Sequence, residues 1–196
     1  MLLGLDVGGT FTDAVIMDGH RVIASAKKRT TKDNLMYGIG EALDAVLEDC
    51  DTSNIEQVTL STTVVTNTIV EAKEQVVDLY VITGPGRNVD DIFPVEPIYL
   101  QGYTDHRGIV VERTPADAVR GIANMVQARS GTDLAAVSAK FGVRNPQEEL
   151  SITEELKNTY HTISNGSLLS GSLNFPRRTI SAYFNSAVTP VFTVFK

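Results

Sequence analysis

The chain of 196 residues has a single cysteine, no tryptophan, and no proline before residue 85. Cys50 alone permits no internal disulfide and no cysteine-based metal cluster. Such sparing use of cysteine fits a reducing compartment, so a cytoplasmic protein is expected. Long apolar runs are also missing. The opening Met1-Leu2-Leu3-Gly4-Leu5-Asp6 has no basic segment and meets a carboxylate at Asp6. Neither a signal peptide nor a membrane span is expected there. Positive charge is scarce: 17 Lys and Arg stand against 24 Asp and Glu, a net charge of −7. That balance argues against a nucleic-acid or anionic-membrane partner. What remains is ordinary globular composition, 42% hydrophobic and 21% charged, enough for a real core.

All seven prolines follow residue 84, so the first part reads as tightly regular and the rest as more looped. Leu2 to Val7 reads as a buried strand, Ala14 to Met17 as a second and Arg21 to Ala26 as a third, with Asp18-Gly19 as the hairpin turn between the last two. A helix capped near Thr31 or Asp33 follows. Its apolar face is Leu35, Ile39, Ala42, Leu43, Val46 and Leu47, and its solvated face Glu41, Asp44, Glu48 and Asp49. Val58 to Ser61 is expected as a strand, Val64 to Ala72 as a short helix, and Val76 to Thr83 as a fifth strand. Gly84-Pro85-Gly86 breaks the chain. A hairpin is expected between Ile98–Tyr103 and Ile109–Glu112. A helix should start at Thr114-Pro115 and run to about Arg129. Leu134 to Ala139 is a further strand, Asn145-Pro146 opens a helix, His161 lies near a strand start, and Arg177 to Ala187 is a last helix. Three antiparallel strands, a helix, a strand, a helix and a strand give the order of a ribonuclease-H-like α/β fold. The expected organisation is a lobe over 1–84, a hairpin excursion over 85–114, and an α/β continuation over 115–196.

The stretch Gly4-Leu5-Asp6-Val7-Gly8-Gly9-Thr10-Phe11-Thr12-Asp13 joins the first two strands. Adjacent glycines expose successive N–H groups with no Cβ in the way, a concavity suited to phosphate oxygens. Thr10 and Thr12 can add hydroxyl donors. Asp6, at the end of a buried strand, could hold magnesium through water. Asp13 could assist or polarise a nucleophile. No Gly-Lys-Ser/Thr follows and a strand comes next, so this is neither a Walker A loop nor a dinucleotide fingerprint. A plain hairpin turn uses the same residue types, and both readings stay open on composition alone.

That opening resembles the first signature of the hydantoinase/oxoprolinase family, ATP-using relatives of the actin, heat-shock-chaperone and sugar-kinase superfamily. Ser61-Thr62-Thr63-Val64-Val65-Thr66-Asn67 is similar to the second signature. Gly102 to Gly108, Phe141 to Pro146 with Glu149, and Ser170 to Arg178 resemble further blocks in the same order. At Asn165-Gly166-Ser167-Leu168 the chain departs from a Gly-His-Arg-like run of its relatives. The resemblance implies an actin-like ATPase domain plus an additional α/β segment. It implies ATP and Mg2+ at Asp6, Gly8, Gly9, Thr10, Thr12 and Asp13, with Asp6 on the metal. It further implies a small-molecule cyclic amide substrate, a C-terminal ATPase domain beyond this chain, and a second hydantoinase subunit as partner.

Other candidates carry two readings each. Thr62, Thr63 and Asn67 could line the cleft or cap a helix. Asp105, His106 and Arg107 could form an acid/base group with an anion clamp, or an ordinary hairpin tip. Arg177 and Arg178 could clamp a substrate carboxylate or sit on the surface. Lys27, Lys28, Arg29 and Lys32 read as a solvated strand exit. The expected function is the N-terminal part of an ATP-dependent cyclic-amide hydrolase, inactive alone. A nucleotide- or metabolite-binding regulatory module and a kinase-like phosphotransferase are the alternatives.

Overall fold

A computed structural model describes residues 1–31, 34–86 and 90–192. The expected helix cap at Asp33 and the basic Lys32 lie outside the described residues. Two compact units emerge, Glu74–Thr189 and a second made of Met1–Lys73 with the segment from Pro190 onward.

In the unit built on Met1–Lys73, the strands are β1 (Leu2–Val7), β2 (Phe11–Asp18), β3 (Arg21–Arg29) and β4 (Gln57–Thr62), with helices α1 (Leu35–Leu47) and α2 (Val64–Val70). The sheet order is β3-β2-β1-β4. β1–β2 and β2–β3 are antiparallel and β1–β4 is parallel. Gly19, at φ +55, turns β2 into β3 as the Asp18-Gly19 signal requires. Period-2 alternation puts Leu3, Leu5, Val7, Ala14 and Ile16 on one face. There they pack with Leu35, Ile39, Ala42 and Val46 of α1. Each Leu, Ile or Val so buried contributes about 1.5–3 kcal/mol. The opposite face, carrying Gly4, Asp6, Asp13 and Val15, borders an open depression.

In the Glu74–Thr189 unit, β5 (Asp78–Ile82), β6 (Ile98–Tyr99), β9 (Leu134–Ala139) and β10 (Thr162–Asn165) form an all-parallel sheet in the order β10-β9-β5-β6. β7 (Tyr103–Thr104) and β8 (Val110–Glu112) make a separate short ribbon. Helices α3 (Ala116–Ser130) and α4 (Gln147–Leu156) cover one face, around Tyr80, Ile82, Val119, Val137, Ile152 and Leu156. The other face packs Leu79, Val81 and Ala136 against Phe175, Ala182 and Ala187 of α6 (Phe175–Phe192). The single turn α5 (Gly166–Leu169) follows β10.

Two expectations need correction. The fifth strand was expected to end the first lobe. Instead, β5 is buried at every residue and is central to the second sheet. A strand apolar on both faces needs cover on both, as parallel sheets supply. The long hairpin is also shorter than expected. Ile98–Tyr99 pairs with β5, Leu100 N–H continues that line by donating to the Val81 carbonyl (2.9 Å), and Gly102 at φ +141 breaks the strand. Only Tyr103–Thr104 returns against Val110–Glu112.

Among the carboxylates buried in this unit, Asp78 stands at the start of β5. Asp78 is 7% exposed and accepts from the Tyr160 hydroxyl (2.8 Å) and the Ser130 hydroxyl (2.8 Å). The Tyr80 and Tyr160 hydroxyls lie 2.7 Å apart. Burial pushes the Tyr80 phenol up to about 12 and raises that of Tyr160 as well. The neutral phenol is thus favoured in the folded protein, and this stabilisation is complete below pH 10 and lost as pH rises from 10 to about 12. Tyr160→Phe is expected to cost about 1–3 kcal/mol by leaving Asp78 short of a donor. Denaturant unfolding at pH 7 measures that loss, and the decline in stability between pH 10 and 12 should be shallower in Tyr80→Phe.

Candidate functional site

The β1–β2 turn is built by register. Val7 opposes Thr12 and Asp6 opposes Asp13, so Gly8 to Phe11 form the tip. Gly8 N–H donates to the Phe11 carbonyl (2.9 Å). Neither Gly8 nor Gly9 is among the residues with positive φ. Both glycines are closely approached. A Cβ on Gly8 would lie 3.0 Å from the Phe11 carbonyl oxygen, and one on Gly9 would lie 2.9 Å from Asn67 Nδ2.

That last approach joins the two halves of the sequence pattern. Asn67 lies on α2, its N–H donating to the Thr63 carbonyl (2.9 Å) and its amide nitrogen to the Thr63 hydroxyl (3.4 Å). Gly8, Gly9, Thr30, Val64, Asn67 and Thr68 are among the residues around a pocket of about 220 Å³. The first glycine turn and the Thr-Thr/Thr-Asn segment therefore meet in space.

The hydroxyls divide into two groups. Thr10 is exposed at the tip, and its carbonyl accepts from Thr30 N–H (3.0 Å). Thr12, expected to donate to phosphate, is fully buried beside the Thr30 hydroxyl (3.0 Å). Thr30 also donates to the Gly8 carbonyl (2.8 Å). Thr12 therefore braces the turn from the core side, because its position in the alternation points it toward α1. Thr62 is likewise occupied, donating to the Val7 carbonyl (3.1 Å) and accepting from Val64 N–H (3.2 Å). Thr62 thus lies one residue before the cap position of α2, Thr63, which makes no side-chain cap bond. Thr63 is exposed.

Asp6 and Asp13 share the sheet face away from α1, where a depression of about 600 Å³ is lined by Asp6, Asp13, Ser25, Lys27, Thr59 and Ser61 among others. Asp6 is exposed. Asp13 is paired with Lys27, whose amine lies 3.0 Å from Oδ1. Among the described residues no group of three or more His, Cys, Asp or Glu could hold a metal ion. Two facing carboxylates completed by water still match the few-carboxylate, many-water coordination that magnesium accepts. Sequence reasoning missed Thr30 and passed over Lys27. Both sit in an unremarkable run after β2, and only the β2–β3 pairing brings them to the turn.

In the Glu74–Thr189 unit the expected residues do other work. Asp105 is buried and saturated. Its Oδ1 accepts from Arg107 N–H (2.9 Å) and Ile109 N–H (2.9 Å), and its Oδ2 from Arg107 Nε (2.9 Å) and Nη2 (2.8 Å). The Ile109 N–H first, and then the Arg107 contacts, hold its carboxyl below the usual carboxylate value. A carboxylate so engaged organises the hairpin tip, and the acid/base reading gives way to it. His106 and Arg107 are exposed.

Arg177 is exposed and its N–H donates to Asn174 Oδ1 (3.1 Å) at the start of α6. Arg178, read from the sequence as either an anion clamp or a surface cation, is 1% exposed. It donates to the carbonyls of Ser172 (2.7 Å), Ala139 (2.5 Å) and Lys140 (3.2 Å). Burial lowers its pKa, opposed by the charge of Glu149. Its fork adds charged donors to the carbonyls at the end of β9, of which that of Ala139 also accepts from Gly142 N–H (3.1 Å). Arg178→Met is expected to cost about 3 kcal/mol or more. Arg178→Lys should not restore it, because an ammonium cannot span three carbonyls as the planar fork does. Thermal unfolding of the two variants checks both statements.

The model of the hydantoinase/oxoprolinase N-terminal region matches residues 2–160. Among solved structures, the nucleotide-free acetone carboxylase, described with a mechanism of ATP-dependent acetone carboxylation, is similar with a TM-score of 0.75 at 17% identity. The match covers 98% of this chain and 33% of that one. The ATP-dependent caprolactamase from Pseudomonas jessenii gives a TM-score of 0.77 at 19% identity, covering 100% of this chain and 32% of that one. These likenesses show a shared mixed α/β fold, and the chain spans about a third of the length of either enzyme. No curated protein matches. No helix among the described residues is long and apolar enough to cross a membrane. With the family model covering most of its length, the chain belongs to the hydantoinase/oxoprolinase family and carries that family's N-terminal region.

Proposed function

We propose that the chain is the nucleotide-binding N-terminal part of an ATP-dependent cytoplasmic enzyme that opens a cyclic amide of the hydantoin or 5-oxoproline class. The observation that carries this reading is the contact between Asn67 and Gly9 beside a turn flanked by Asp6 and Asp13. The name of the caprolactamase relative supports it, since caprolactam is a cyclic amide.

In this reading the Gly9 and Thr10 N–H groups and the Thr10 hydroxyl receive phosphate oxygens. Asp6 and Asp13 hold Mg2+ through water. Asn67 lines the adjoining pocket, and the Thr63 hydroxyl, 3.4 Å from its amide nitrogen, orients it. Phosphoryl transfer from ATP to the amide oxygen would turn a poor electrophile into one that water attacks, and the protein's part is positioning and charge balance. The chain alone binds nucleotide weakly and does not turn over, because the rest of the cleft belongs to the remaining two-thirds of the enzyme and to a second subunit.

ATP hydrolysis by the full-length protein should appear only with a cyclic amide such as 5-oxoproline, hydantoin or caprolactam. Hydrolysis driven by a ketone with bicarbonate, or by a sugar, would replace this reading with a carboxylase or a kinase. Asp6→Asn is expected to lower kcat by about 100-fold or more with an unchanged melting temperature, since Asp6 is exposed. Gly9→Ala should lower kcat about tenfold by displacing the Asn67 amide, while the fold, followed by circular dichroism, is retained.

A further inference from the structure

Lys27 lies on β3 directly opposite Asp13 and on the same open face. Its amine sits 3.0 and 3.2 Å from the two Asp13 oxygens and 5.1 Å from the centroid of the Phe11 ring, at the edge of the glycine turn. It is the one Lys or Arg among the described residues lining the 600 Å³ depression, where Asp6 and Asp13 are the carboxylates. An anion entering that depression meets two carboxylates, and this amine is the cationic partner that its lining offers.

Exposure decides how readily it can turn. The Lys27 and Asp13 side chains are 57% and 48% exposed, and ion pairs in such settings contribute little to stability. A phosphate oxygen bearing more charge than one carboxylate oxygen is the stronger partner. We propose that Lys27 is a phosphate-binding residue, parked on Asp13 in the free protein. It passes to a phosphate oxygen when a nucleoside polyphosphate binds, and so releases Asp13 toward the metal side of the site. The inference rests on the nucleotide reading above and adds a ligand-exchange pair to it.

Calorimetric titration of the full-length protein with Mg-ADP tests the exchange. Lys27→Met is expected to weaken Mg-ADP binding by about 10- to 100-fold, and Lys27→Arg by no more than about threefold. Binding of adenosine, which has no phosphate, should be equal in all three proteins. In magnesium-free buffer, Asp13→Asn should tighten inorganic pyrophosphate binding, and this gain should vanish in the Lys27→Met background. Lys27→Met binding Mg-ADP as tightly as wild type, with only a lowered melting temperature, would make the pair merely structural and overturn the inference while leaving the nucleotide reading in place. Failure of the wild-type protein to bind Mg-ADP would overturn both.

Discussion

The clasp of Thr30 on the β1–β2 turn is the contact on which the candidate site depends. Its hydroxyl reaches the Gly8 carbonyl and lies beside the Thr12 hydroxyl, and its N–H reaches the Thr10 carbonyl. These bonds hold the tip at one register, with Val7 opposite Thr12 and Asp6 opposite Asp13. A slip of one residue would reverse every side chain on β2. Thr12 would then face the open depression and Asp13 the core. The Thr12–Thr30 hydroxyl pair, together with Ala14 and Ile16 buried on the same side of β2, therefore keeps Asp13 on the solvent side.

The Glu74–Thr189 unit obeys a different constraint, the need to satisfy polar groups within a sheet covered on both faces. Arg178 answers it at the end of β9, and Tyr160 with Ser130 answers it at the start of β5. Glu149 does so too, accepting from the N–H groups of Ala139 and Ser167 while fully buried. A charged side chain buried among hydrogen-bond partners in this way is part of the framework. This is why residues that resemble catalytic groups in a motif, Asp105 and Arg178, turn out to hold turns and strand ends together.

Much of the secondary structure could be read directly. β1, β9 and the apolar face of α1 follow from local periodicity, because alternation and helical spacing are properties of neighbouring residues. The assignment of β5 to a sheet could not be read so, since an apolar strand reports that both faces are covered and not by what. The expected hairpin from Ile98 failed for a similar reason: β-propensity is shared by a strand that turns back and one that joins a distant neighbour.

For the site, the sequence alone determined the chemical inventory: a strand ending in Asp6, a tight glycine turn, a following Asp13, and a distant Thr-Thr/Thr-Asn segment. Its match to a family follows from that order. Only the tertiary structure decided which of these groups face solvent. It put Asn67 against Gly9, turned Thr12 inward, gave Asp13 to Lys27 and sank Arg178 among carbonyls. Residue type sets what a side chain can do, but strand register and long-range packing set whether it is free to do it. In this chain those relations span tens of residues, beyond the reach of any local pattern.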